Sequence, residues 1–262
     1  MKLNLSPEII HLYGPFGIQS YGLFIIIGIV ISIIAAHYNK RFKQLHLENK
    51  YLDIVMISIL AGCFGGRLLE IISNPAAYPH WQDWFTIWQG GFSILGSILG
   101  IIIILPIYLQ KIKVPIIPLF DLACIYVPLC QSIARLGCFT AGCCYGVATQ
   151  SIFGVIYTHP QTLAVCNIPI HPTQIYSSLL LFGIFLFMYY IAQHRYTKNG
   201  QLFCIYLLLA SFERFIIDFW RAERIMVNNF LSFHQLIALC IIFVVMLILL
   251  STKLKKNNIS IY

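Results

Sequence analysis

The sequence predicts an all-α, polytopic membrane protein of about seven transmembrane helices, with the N-terminus out and the C-terminus in. Three observations predict it. Of the 262 residues, 59% are hydrophobic and only 10% charged, against roughly 25% charged in soluble domains, and the mean hydropathy is +0.82. The apolar residues fall in runs long enough to cross a bilayer, and they do not alternate in the ~10-residue segments of outer-membrane strands. Lysine and arginine also lie mostly on one side of these runs.

In chain order the expected spans are Gln19–Ala36, Leu52–Ile72, Gly91–Leu109, Ile116–Leu136, Ile175–Ile191, Gln201–Trp220 and Phe233–Leu250. Only one lysine precedes the first run, Glu8 accompanies it, and no small-residue cleavage site follows, so a span is expected there and not a signal peptide. Lys40, Arg41, Lys43 and Lys50 fill the first loop, Lys111 and Lys113 the third, Arg195 and Lys198 the fifth, and Lys253, Lys255 and Lys256 the tail. The other side carries Lys2, Arg221 and Arg224, with no basic residue in 73–90 or 138–174. The net charge of +8 therefore reads as a cytoplasmic anchoring signal and not as a nucleic-acid footprint. No internal repeat of the inverted-transporter kind is visible, so residues 1–262 read as one membrane domain.

Charges inside the apolar runs carry the functional information. Arg67, Arg135 and Arg214 lie within them, with Asp121 and Asp218. A guanidinium cannot shed its proton, because its pKa stays above ~12, and at the bilayer centre it costs at least ~2.5–3.5 kcal/mol. Such groups point to an anion that needs holding. Arg214, Asp218 and Arg221, at i, i+4 and i+7, are expected on one helical face, as an anion clamp or as a structural ion pair with a snorkelling arginine. Arg67 and Glu70, one turn apart, can pair locally, and a structural role weighs there at least as much as a functional one. Arg135 opens a run punctuated by Gly137, Gly142 and Gly146, where backbone can bend close to a ligand or simply cap the helix. Trp88-Gln89-Gly90-Gly91 and His171-Pro172-Thr173-Gln174-Ile175-Tyr176 lead into the third and fifth spans and add donors at the same level. The long 138–174 connection, rich in glycine and proline, marks the outer face as the working face.

Tyr21-Gly22, Trp88-Gln-Gly-Gly91, Arg135-Leu-Gly137, His171-Pro-Thr-Gln-Ile-Tyr176, Arg214-Phe-Ile-Ile-Asp-Phe-Trp-Arg221 and Leu231-Ser-Phe-His-Gln-Leu236 occur in this order. The ordered set resembles the bacterial prolipoprotein diacylglyceryl transferases over nearly the whole chain. The resemblance implies transfer of the diacylglyceryl group of phosphatidylglycerol to the thiol of a lipobox cysteine in prolipoproteins, the first step of lipoprotein maturation. It implies a bacterial cytoplasmic (inner) membrane location with the site facing outward, and no cofactor or metal. The partners implied are phosphatidylglycerol, prolipoprotein signal peptides and the lipid bilayer. By position, Tyr21, Arg135 and Arg214 are the expected catalytic residues. Arg135, Arg214, Arg221, Asp218, Gly146, Gln89, His171 and Gln174 are expected to bind substrate. Two alternatives accompany this reading: a diverged member that binds anionic lipid with the transfer lost or altered, and an anionic-solute transporter.

The sequence departs from the family pattern at four places. Asp218 stands where glutamate is more usual, Leu95 where a histidine commonly follows the Gln-Gly-Gly turn, and Cys138 and Cys143 where asparagine and glutamate are normal. Leu95 cannot accept a proton, which leaves His171, His234 or the positive field to activate the thiol. Of nine cysteines, Cys138, Cys143, Cys144 and Cys166 are expected outside the membrane, as disulfide partners, inert thiols or, least favoured by their spacing, a metal or redox site. Cys63, Cys124, Cys130, Cys204 and Cys240 read as small apolar filler.

Overall fold

A computed structural model describes residues 2–13, 16–86, 91–227 and 230–259. Its helices are α1 (Ser20–His37), α2 (Lys40–Gln44), α3 (Tyr51–Ser73), α4 (Ile94–Lys111), α5 (Ile116–Ala141), α6 (Thr173–Phe187), α7 (Gln193–Arg195), α8 (Gln201–Ile217) and α9 (Phe233–Ile259). Six helical segments are long and apolar enough to cross a membrane: α1, α3, α4, α5, α6 continued through a π-helical turn into α7, and α9. The remaining expected span corresponds to α8, whose 17 residues cover only about 26 Å at 1.5 Å per residue. The chain divides into two compact units, one of Met1–Ile10, Ile18–Ala36 and Phe120–Tyr262, the other of His11–Gly17 and His37–Leu119.

In the second unit, α3 and α4 meet backbone to backbone. A methyl group on Gly65 would lie 2.4 Å from the Gly96 carbonyl oxygen, and one on Gly96 would lie 2.3 Å from that of Gly65. Ala61-x-x-x-Gly65 and Gly96-x-x-x-Gly100 supply the small residues that let membrane helices approach this closely. Arg67 is buried on α3. Its Nε donates to the Trp84 carbonyl (3.1 Å), Nη1 to that of Gly91 (3.0 Å) and Nη2 to that of Asp83 (2.7 Å). Tyr78 adds its hydroxyl at 3.3 Å and its ring, 4.5 Å beneath the guanidinium. Glu70 accepts from Asn74 Nδ2 at 2.8 Å. Arg67 thus sits in a cradle of carbonyls, because a five-donor guanidinium needs more acceptors than the one carboxylate that the sequence offered it.

In the first unit, small polar side chains join the helices. Ser132 and Ser178 donate to each other's carbonyls across α5 and α6, at 2.8 and 2.9 Å. Ser32 on α1 donates to the Tyr126 carbonyl at 3.3 Å, and Tyr206 on α8 donates to Gln131 Oε1 at 3.1 Å. Such bonds replace the hydrophobic effect, which drives nothing between helices already in lipid. Asp121 on α5 is fully buried and accepts from the Gly200 and Phe203 amides, at 2.6 and 2.8 Å. It caps α8 from another helix, where the free amides and helix dipole favour a negative charge. The carboxylate is thereby a structural fastening.

Beyond α5 lies a small sheet ordered β1 (Lys2–Leu3), β4 (Val155–Tyr157), β5 (Pro169–Ile170); β2 (Glu8–Tyr13) and β3 (Phe16–Gln19) precede α1. Leu3, Val155, Tyr157, Ala164 and Ile170 form its core, and the Tyr157 hydroxyl donates to the Phe139 carbonyl at 2.8 Å. The 142–172 connection is thus a built cap on the end of α5. Asp121→Ala is expected to lower stability by about 1–2 kcal/mol, read as a lower melting temperature in detergent. Asp121→Asn should recover part of the loss.

Candidate active site

Arg135 lies inside α5, which continues almost two turns past it to Ala141; the sequence had placed the helix end near Leu136. Gly142, at φ +80°, caps the helix in the left-handed conformation, its amide donating to the Cys138 carbonyl at 2.9 Å. Gly137 serves a different purpose. A methyl there would come 2.8 Å from Phe24 Cβ and 3.1 Å from Tyr21 Cα, so its bareness lets α1 bring Tyr21 alongside Arg135.

Arg214 closes α8, but Arg221 does not share its helical face. The helix ends at Ile217, Asp218–Trp220 form a 3-10 turn, and Arg221 is extended (φ −73°, ψ 141°). It forms an antiparallel bridge with Gly146. The flanking bonds run from Val147 N to the Trp220 carbonyl (2.8 Å) and from Ala222 N to the Tyr145 carbonyl (3.1 Å). Gly146 also donates to the His171 carbonyl at 3.0 Å, and His171 donates to that of Val147 at 3.1 Å. A methyl on Gly146 would stand 2.6 Å from His171 Cβ and 2.7 Å from the Trp220 carbonyl oxygen. Three backbone segments close on this position, and only glycine fits.

The first unit therefore gathers its charges. Arg135 is within electrostatic reach of Cys138, Cys144, Glu213 and Tyr21. Arg214 is within reach of Arg221, Asp218, Arg135 and Glu213. Glu213, buried, lies within electrostatic reach of Arg135, Arg214 and Arg221, and its Oε1 accepts a hydrogen bond from Ser177. Sequence reasoning missed Glu213 because the spacing of Arg214, Asp218 and Arg221 drew the eye past it. An acidic side chain in an apolar helix was the available signal.

Asp218, fully buried, accepts from the Ser232 hydroxyl and stands 3.8 Å from Arg214 Nη2. Ser232 caps α9 in a reciprocal box with Gln235, at 3.0 and 3.2 Å. Gln235 Nε2 also reaches the Phe215 carbonyl on α8 at 3.3 Å. His234, just before Gln235, lies within the fields of Arg214, Asp218 and Arg221. His171 Nδ1 is 3.2 Å from the Tyr176 hydroxyl. Gln174 turns its amide to the Cys143 carbonyl at 2.7 Å and so positions the loop. Leu95 sits exposed on α4 in the second unit, and Gln89 lies outside the described residues.

A family model described as prolipoprotein diacylglyceryl transferase matches residues 7–251. The chain belongs to that family. It is 32% identical to the phosphatidylglycerol–prolipoprotein diacylglyceryl transferase of Clostridium tetani, covering 90% of this chain and 93% of that protein. It is 30% identical to the second such transferase of Clostridium perfringens, over 92% and 93%, and 29% identical to that of Thermotoga maritima, over 93% and 85%.

The first unit also gathers sulfur. All nine cysteines are free thiols, and Cys138, Cys143 and Cys144 place their Sγ atoms within 4.8 Å of one another. Cys166 donates instead to the His159 carbonyl, at 3.6 Å. Hydrogen bonds from Cys138 and Cys143, then the fields of Arg221 and Arg135, hold the Cys144 thiol well below its usual range against the effect of burial. Hydrogen bonding to Cys138 and Cys144, with burial, pushes Cys143 well above it. The thiolate is the nucleophile, so iodoacetamide at neutral pH should label Cys144 before Cys143. Fragment-ion mapping of the Cys143-Cys144 peptide checks the order.

Proposed function

We propose that this chain moves the diacylglyceryl group of phosphatidylglycerol onto the thiol of a lipobox cysteine in prolipoproteins, the first step of lipoprotein maturation. It does so as one seven-span domain of the bacterial cytoplasmic membrane, N-terminus outside and the site at the outer leaflet. The reading rests on the gathering of Arg135, Arg214 and Arg221 around buried Glu213, in a chain of this family. The placement of lysine and arginine supports the orientation.

Arg214 lies in the fields of Arg221 and Arg135 and of two carboxylates, Asp218 and Glu213, and Asp218 already accepts from Ser232. Such a gathering of guanidiniums suits one lipid phosphate. A phosphodiester carries one negative charge. As its C–O bond to the diacylglyceryl carbon breaks, the departing glycerol phosphate gains a second. Fixed guanidiniums favour that state over the bound lipid, and so lower the barrier and not merely the dissociation constant. Arg135 and Arg214 hold the phosphate, Arg221 flanks it from the Gly146 bridge, and Tyr21 stands beside Arg135. Glu213 is a positioning residue that keeps mutually repelling arginines on one centre. An anion transporter is disfavoured by family membership.

Incubation with phosphatidylglycerol vesicles and a lipobox peptide should add one diacylglyceryl mass to the peptide cysteine; an unmodified peptide beside intact lipid binding would sink the transferase. Arg135→Ala and Arg214→Ala should each cut kcat/KM about 100-fold or more. If either leaves turnover and lipid affinity alone, the phosphate assignment is wrong. Glu213→Gln removes a negative charge without removing volume, so kcat should fall about tenfold, a barrier increase of ~1.4 kcal/mol, while KM for the lipid does not rise. Steady-state kinetics separates the two effects.

A further inference from the structure

Cys138, Cys143 and Cys144 converge through local backbone geometry that their spacing in the sequence conceals. Cys138 lies in the final turn of α5, Gly142 turns the chain back at φ +80°, and Cys144 is itself left-handed at φ +58°. The turn is tied down from α6. Gln174 Nε2 donates to the Cys143 carbonyl and Thr173 Oγ1 to the Cys144 carbonyl, both at 2.7 Å, and both side chains are buried. With these carbonyls fixed, the three sulfurs share one small space, within 4.8 Å of one another. Sulfurs bound to one zinc at ~2.3 Å stand about 4 Å apart, so little movement is needed to close them on an ion.

We propose that Cys138, Cys143 and Cys144 bind one thiophilic divalent ion, zinc or a close relative, and leave its fourth position for the acceptor peptide's thiol. The second half rests on the transferase reading; the first does not. Three protein ligands and one open position are the pattern of catalytic zinc, in contrast to closed structural sites. A thiol that coordinates such an ion loses its proton outright. The peptide S–H would release its proton to water on binding. Its sulfur would then form the C–S bond to the diacylglyceryl carbon as the C–O bond breaks, the electron pair leaving on glycerol phosphate. Arg135 and Arg221 are both within electrostatic reach of Cys144, so the guanidiniums assigned to the leaving phosphate act on the same sulfur cluster. No oxidant or reductant enters the step. The site would supply the thiol activation that Leu95 cannot.

Cobalt(II) is the probe, added to reduced full-length protein in detergent. One equivalent should bring thiolate-to-metal charge-transfer and tetrahedral d–d bands, which zinc then bleaches. Cys143→Ser and Cys144→Ser should abolish them, and Cys166→Ser should leave them unchanged. A lipobox peptide should shift the d–d bands, and its Cys→Ser counterpart should not. The site is overturned if the bands are missing from reduced wild type, if they survive Cys143→Ser, or if the cysteines leave the membrane as a disulfide (two hydrogens lighter, restored by reductant). Bands that ignore the peptide overturn the acceptor position. Bands that respond, without any lipid transfer, count against the transferase reading alone and uphold the site.

Discussion

An arginine placed in lipid keeps its charge, so its acceptors have to be built around it. The two units meet this demand in opposite ways. Arg67 is enclosed by carbonyl oxygens and a tyrosine ring from its own neighbourhood, so its charge is already answered by the fold. Arg135, Arg214 and Arg221 lie in the field of one Glu213, and Arg214 also leans on Asp218. The first arrangement disperses a charge into the fold; the second concentrates charge in one place.

That concentrated charge would push its own helices apart if nothing held them. Polar bonds between α5, α6, α8 and α9 do the holding. Ser177 anchors Glu213, and Ser232 anchors Asp218 while capping α9. The same few small side chains therefore set the packing of the bundle and the position of its charges. A serine lost from this set would disturb the site before it unfolded the chain.

Hydropathy made most of this architecture legible, because apolar runs long enough to span lipid have few other uses. Leu52–Ile72 was expected where α3 runs from Tyr51 to Ser73, an error of one residue at each end. The end of α5 was missed by five residues, since composition cannot see that Gly142 rather than polarity stops the helix. Arg135, Arg214, Asp218 and Tyr21 were visible as charges or by resemblance, and the first unit brings them together. Helical periodicity misplaced Arg221, because its position comes from pairing with Gly146, 75 positions earlier in the chain. The sulfur trio was equally hidden: its convergence depends on left-handed backbone at Gly142 and Cys144, which no ligand spacing encodes.

The fastening of α8 at both ends governs how it can move. Asp121 grips its start, and the loop that follows α5 grips the segment just past its end. A 3-10 turn continues the helix to Trp220, so Gln201–Trp220 runs about 31 Å, close to a hydrocarbon layer of ~30 Å. Tied at both ends to α5 and its loop, α8 can tilt or slide only with α5. Arg214 and Arg135 therefore keep their relative depth whenever the bundle moves.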